Sequence, residues 1–167
     1  MSRFVISCGG TGGHLSPGIA LAEGLRQQGH DTLLLISQKK VDARLSEKYP
    51  QLLFERMPGR GFSWQPLNLL KCFVAQVQAG WFCWRLIRRT RPDAVVGFGG
   101  FTSAPVVLAA GVSGVPAALH ESNRVPGLAI RTLGRFARRV YLPPGIRIRS
   151  IRAAATRHVG LPVRREI

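Results

Sequence analysis

The sequence predicts an α/β fold: a Rossmann-like parallel sheet with helices on both faces. Short apolar runs alternate with helical patterns along the chain, and glycine-rich turns follow the first and fourth of those runs. No repeat or low-complexity tract interrupts the alternation. At 167 residues, 46% of them hydrophobic, the chain is long enough for one domain, 1–167, with a packed core.

Arg3–Ser7 reads as a short buried strand. The glycine-rich stretch SCGGTGGHLSPG follows it, and then a helix with Ile19, Leu21, Ala22 and Leu25 on its apolar side. Ser16 is placed to cap that helix, Pro17 to open it and Gly29 to stop it. Asp31–Ile36 is a second strand, Val41–Lys48 a polar helix and Leu52–Met57 a third strand. Pro58–Pro66, which carries Phe62 and Trp64, has the composition of a loop. A long helix spans Leu67–Arg89, with Leu70, Val74, Val77, Trp81 and Trp84 at helical spacing as its buried stripe. Asp93–Gly97 is the fourth strand, Ala104–Ala110 a helix, Ala117–His120 the fifth strand, Pro126–Phe136 a helix and Arg139–Leu142 a sixth strand.

In a parallel sheet of this kind ligands bind beyond the carboxyl ends of the strands. The motifs GGTGGH, GFGGF and HESN follow strands one, four and five, so all three should gather on one rim. GGTGGH is neither a Walker A loop, since no GK[ST] follows, nor a dinucleotide fingerprint, since the sixth position counted from Gly10 is Leu15. Glycines can serve backbone conformation alone. Two glycine loops at neighbouring strand ends, the second made by Gly97, Gly99 and Gly100, can also expose N–H groups to a diphosphate. His14 stands beside this anion site at a helix start, where the helix dipole favours the neutral imidazole that a general base requires. His120 and Glu121 end strand five and can reach the same crevice. No Ser-His-Asp, HExxH or close carboxylate pair is present, so neither a metal nor a cofactor is expected. Cys8 has no evident base partner and reads as a small buried residue.

Charge is the unusual property. Twenty-four Lys and Arg face eight Asp and Glu, a formal charge of +16, and after Arg91 the only acidic residues are Asp93, Glu121 and Glu166. Such an excess attracts polyanions. With no helix-turn-helix, zinc or RNP pattern, nucleic acid is not the expected partner. The segment WFCW, Trp81 to Trp84, spreads aromatic surface around the long helix and is followed by Arg85, Arg88, Arg89 and Arg91. Exposed Trp81, Phe82 or Trp84 beside Arg85, Arg88 and Arg89 suits the headgroup boundary of an anionic membrane. A transmembrane span is not expected, because Gln76, Gln78 and Gly80 interrupt a stretch bounded by Lys71 and Arg85. No secretory signal pattern opens the sequence, and three cysteines without CxxC spacing point to a reducing cytoplasm.

GGTGGHLSPG, GFGGFTSAPVVLAA, HESNRVPGLAIR and VGLPVR, in that order, resemble the N-terminal, acceptor-binding domain of the peptidoglycan N-acetylglucosaminyltransferase family (glycosyltransferase family 28). The resemblance runs from Arg3 to Arg165 and implies the N-terminal half of a GT-B inverting glycosyltransferase. It implies transfer of N-acetylglucosamine from UDP-N-acetylglucosamine to an undecaprenyl-diphosphate-linked muramyl-pentapeptide acceptor, in peptidoglycan biosynthesis, at the cytoplasmic face of the plasma membrane. By motif position Thr11, Gly12 and Gly13 would contact the donor or the diphosphate, with Asn123 and Arg164 as further donor contacts. His14 would be the base and Glu121 a second polar group of the acceptor cleft, with Glu121 as base the alternative.

Phe101 stands where the family usually has Tyr, Ser122 where it has Gln, Leu161 where it has Asn, and Arg124 where Ala is common. The tract RIRSIRAAATRH, Arg147 to His158, is more basic than the family pattern. The sequence ends just past VGLPVR, where the family crosses into its donor-binding domain. The expectation is therefore a piece of a longer enzyme or one subunit of a split one, inactive by itself. The alternative is a non-catalytic membrane-docking subunit that recruits a separate donor-binding half.

Overall fold

The computed structural model describes residues 1–10, 12–59 and 66–163, and the side chains of all of these except 66–70. The elements run β1 (Arg3–Ser7), α1 (Gly12–Gln27), β2 (Asp31–Ile36), α2 (Lys40–Ser46), β3 (Leu53–Arg56), α3 (Pro66–Thr90) and β4 (Ala94–Gly97). They continue with α4 (Ser103–Val112), β5 (Ala117–His120), α5 (Leu128–Leu133), β6 (Arg139–Leu142), a 3₁₀ turn at Ala153–Ala155 and β7 (Thr156–His158). Every strand pair is parallel, in the order β3-β2-β1-β4-β5-β6-β7. The chain order reverses between β1 and β4, where Ser7 lies beside Gly97 in register. The two glycine loops therefore leave the sheet side by side at a switch point, where open α/β sheets bind ligands.

Strand alternation splits the core in two. Val5 and Leu35 face a layer made by α3, α4 and α5, packed with Ala79, Cys83, Leu86, Val106 and Leu119. Ile6, Leu34 and Ile36 face α1 and α2, packed with Leu15, Ile19, Ala22 and Phe98. Helices thus cover both faces, as the alternation of elements predicts, and strands β1, β2, β5 and β6 have the bounds read from sequence.

Three readings are corrected. The first helix begins at Gly12, so Ser16 does not cap it and Pro17 lies inside it. Gly10 takes φ 112° in the turn, and Gly12 and Gly13 are already helical. Gly18 then lets α1 press onto β1, because a Cβ there would collide with Cys8. Second, the apolar stripe on α3 is not the one its periodicity suggested. Cys72, Ala79, Cys83, Leu86 and Ile87 are buried, while Val74, Val77 and Trp81 are 47%, 57% and 60% exposed and Trp84 is half-buried. Leu70 lies outside the described side chains. Both stripes have helical spacing, but the one with small residues can approach the sheet and α4 closely. Third, the basic tract after β6 contains β7, a three-residue edge strand with mostly exposed side chains that leave no apolar signal. The loop aromatics Phe62 and Trp64 lie outside the described residues.

Candidate acceptor cleft at the carboxyl edge

A cleft of about 1060 Å³ opens at the carboxyl edge of the sheet. Its polar end is made by His14, the Gly99–Gly100 turn, Glu121 and Asn123. Its apolar end runs between α3, α4 and α5 and is lined by Val77, Trp81, Leu108, Val112 and Leu128. The loops after β1, β4 and β5 therefore do converge, as their strand-end positions predict.

His14 stands in the first turn of α1, half-buried, with its ring against the second glycine loop. Its Nε2 lies 3.4 Å from where a Cβ of Gly99 would sit, and its Nδ1 3.4 Å from that of Gly100. Gly99 and Gly100 have φ of 93° and 70°, so side chains there would be strained as well as crowded. Gly12 and Gly13 are exposed at the helix start, where backbone N–H groups have no partner within the helix. Gly9 and Gly10 are engaged otherwise. The Thr102 hydroxyl donates to the Gly9 carbonyl at 3.0 Å, Lys39 Nζ to the Gly10 carbonyl at 2.9 Å, and the Gly10 N–H donates to Asp42 Oδ2 at 2.8 Å. The Gly10 N–H is therefore already taken by Asp42.

Glu121 is 2% exposed. Its Oε1 accepts from the Asn123 N–H at 2.8 Å and from Asn123 Nδ2 at 2.9 Å, and its Oε2 accepts from the Gly127 N–H at 2.7 Å. This carboxylate closes the 121–127 loop onto the end of β5 and delivers Asn123 to the cleft. Thr11 and Arg164 lie outside the described residues, so their expected donor contacts have no structural counterpart here. Among the described residues no group of three His, Cys, Asp or Glu is placed to hold a metal ion. Cys8 is fully buried, and its thiol is pushed far up, first by burial and then by Asp42.

Sequence reasoning missed Asp42, which is fully buried and ties the glycine loop to the β2–α2 turn. The available signal was an aspartate in the first turn of a helix that starts at the same rim.

Burial holds the His14 imidazole below its usual 6.5, against the opposing pull of Glu121 and Asp42. His120 is lowered too, again chiefly by burial, against a hydrogen bond to the Gly160 carbonyl and the charge of Glu121. Because folding lowers both pKa values, the unfolded chain takes up these protons first on acidification. Their contribution to stability is complete above about pH 6.5 and is lost as pH falls through the folded-state values. Thermal melts in closely spaced buffers should show a Tm that declines as pH drops below that point. A Tm that rises there would contradict the assignment.

The expected docking residues divide. Trp81 is exposed and stacks on Trp84 at 4.8 Å between ring centroids, and the Arg88 guanidinium lies 5.1 Å from the Trp84 ring. Arg85 and Arg88 are exposed. Phe82 instead is half-buried against the core, and Arg89 is paired with Glu55 at 2.8 Å, so neither leads the exposed face. Phe73, Val74 and Val77 complete that face. Among the described residues no helix is long and apolar enough to cross a membrane.

A parallel sheet with glycine loops at its switch point and a cleft along its carboxyl edge is the architecture of one half of a two-domain GT-B glycosyltransferase. The sequence profile of the glycosyltransferase family 28 N-terminal domain matches residues 4–142, and the chain belongs to that family. It is 65% identical over 167 residues to the UDP-N-acetylglucosamine–N-acetylmuramyl-(pentapeptide) pyrophosphoryl-undecaprenol N-acetylglucosamine transferase of Opitutus terrae, covering all of this chain and 44% of that protein. The enzyme of the same name from Myxococcus xanthus is 39% identical over 148 residues, covering 85% of this chain and 38% of its own length. The crystal structure of Acinetobacter baumannii MurG superposes with a TM-score of 0.82 at 26% identity, over 96% of this chain and 46% of that one. The chain thus spans less than half the length of these relatives.

Proposed function

We propose that these 167 residues form the acceptor-binding, membrane-docking part of an inverting N-acetylglucosaminyltransferase of peptidoglycan synthesis. The acceptor is the undecaprenyl-diphosphate-linked muramyl-pentapeptide and the donor is UDP-N-acetylglucosamine. The observation that carries this reading is the continuity of the cleft, which joins His14 and the Gly99–Gly100 turn to an exposed apolar helix face in one cavity. A lipid diphosphate has the same order of parts: sugar, anion, hydrocarbon. His14 takes the proton of the acceptor hydroxyl as it attacks the anomeric carbon, the anion rests at the Gly12–Gly13 helix start, and the donor leaves as UDP. Glu121 holds the 121–127 loop that presents Asn123. The exposed face of α3, with Arg85 and Arg88, rests on an anionic cytoplasmic membrane surface. The donor is held mainly by a part equivalent to the remaining length of the Opitutus relative.

The test joins residues 1–167 to that remaining length, beside the relative's own two parts joined in the same way. The joined protein should transfer N-acetylglucosamine to the lipid acceptor in vesicles. Residues 1–167 alone should bind UDP-N-acetylglucosamine poorly and transfer nothing. A Kd near 1 μM for the donor, about −8 kcal/mol, measured on the 167 residues alone would overturn this division of labour. Recruitment of the donor part without transfer, while the control join is active, would favour the non-catalytic docking subunit.

A further inference from the structure

The glycine loop is built onto a buried carboxylate. Asp42 stands in the first turn of α2 and is 0% exposed. Its Oδ2 accepts from the Gly10 N–H at 2.8 Å, the Ser37 N–H at 3.0 Å and the Ser37 hydroxyl at 2.5 Å. Its Oδ1 has no hydrogen-bond partner among the described residues. Lys39, which precedes α2, donates to the carbonyl of the same Gly10 at 2.9 Å. Both backbone polar groups of Gly10 are therefore held by one turn. A Cβ on Gly9 would collide with the backbone nitrogen of Ser37, so loop and turn are also in direct contact.

Burying a carboxylate with one oxygen unpaired is costly, and an asparagine of the same shape would satisfy the three donors without the charge. The charge itself therefore needs a purpose. Among the groups that bear electrostatically on His14 are Glu121, at the end of β5, and Asp42; both favour its protonated form. Each carboxylate accepts three hydrogen bonds, but Glu121 spreads them over both oxygens, whereas Asp42 takes all three on Oδ2 and leaves Oδ1 without a partner among the described residues.

We propose that Asp42 is a positioning residue for transfer: it fixes the Gly10 amide, and so the loop from which α1 starts with His14 in its first turn, and it does so as a charged carboxylate rather than as a neutral acceptor. This deepens the reading of His14 as the base, but its test is independent of turnover.

The experiment is an NMR titration of the His14 ring and the Gly10 amide in the 167-residue chain, in Asp42→Asn and in Asp42→Ala. Asp42→Asn keeps an acceptor for Gly10 and removes the charge. The His14 midpoint should fall, because the Asp42 charge favours the protonated imidazole, while the Gly10 amide stays protected from exchange. In Asp42→Ala that protection should be lost. An unchanged His14 midpoint in Asp42→Asn would overturn the electrostatic role, and a Gly10 amide that stays protected in Asp42→Ala would overturn the positioning role. Should the alanine variant not fold, the asparagine variant alone decides the electrostatic role, and hydrogen exchange at Gly10 in Ser37→Ala, which loosens the same clamp, decides the other. If His14 is not the base, that shows separately, as turnover surviving in a His14→Gln enzyme whose acceptor binding is intact.

Discussion

Replacing His14 by alanine, in the 167 residues joined to a donor-binding part, should lower turnover by roughly 10²–10⁴-fold, the usual worth of a general base. The sugar hydroxyl is a poor nucleophile until its proton has somewhere to go, and on the proposed reading the imidazole at the polar end of the cleft takes it. Burial keeps it unprotonated at neutral pH, which is the state the step requires. The ring packs on Gly99 and Gly100 rather than in either hydrophobic core, so the change should leave melting temperature and vesicle binding near those of the parent. His14→Gln separates chemistry from shape, because a glutamine keeps hydrogen bonding but accepts no proton at this pH. A glutamine variant that turns over nearly as fast as the parent would make His14 a positioning residue and return the base to another group. Glu121 is poorly suited to be that group, since both its oxygens already close the 121–127 loop.

The double variant Val77→Ser, Trp81→Ser should weaken binding to anionic vesicles by roughly 30–700-fold. Each of these side chains offers apolar surface whose transfer from water is worth about 1–2 kcal/mol, and each ~1.4 kcal/mol is a factor of ten. Both are exposed and belong to neither core, so circular dichroism and Tm should not change. Binding of the parent should exceed that to neutral vesicles and fall with added salt, because Arg85 and Arg88 stand in water beside the face. Phe82 is the wrong residue for this test, as its half-buried ring packs on the core and its loss would confuse docking with stability. Unimpaired vesicle binding by the serine pair would move the docking surface elsewhere, with the arginines after Glu121 the next place to look.

The sheet was legible because its strands are short apolar runs with turn-forming ends, and β1, β2, β5 and β6 match residue for residue. The convergence of GGTGGH, GFGGF and HESN followed from topology, since parallel strands send all such loops to one rim. What failed had physical causes. The buried side of α3 depends on which residues are small enough to let the helix approach its neighbours, and periodicity does not carry that. The start of α1 was misplaced because glycines signal turns, yet Gly12 and Gly13 here adopt helical geometry. Asp42 was missed because its partner is a backbone amide 32 residues earlier in the chain: its place in the first turn of α2 marks the rim but not that bond.

The reversal of strand order has a consequence for how the chain reaches this state. β1 takes β2 as one neighbour in a pairing of Phe4 with Thr32, and β4 as the other, in a pairing of Phe4 with Ala94. The first pairing closes a short loop and the second a long one, so the entropy of closure orders them. As the chain emerges from a ribosome, β1, β2 and β3 with α1 and α2 can assemble as a half-sheet while the open edge of β1 waits for β4. During that interval Val5 and Ile6 belong to an exposed sheet edge, and α3, with its two apolar stripes, is the next segment to arrive. Only when β4 docks does the first glycine loop meet the second, so the cleft is assembled late, after the half of the molecule that carries His14 has formed.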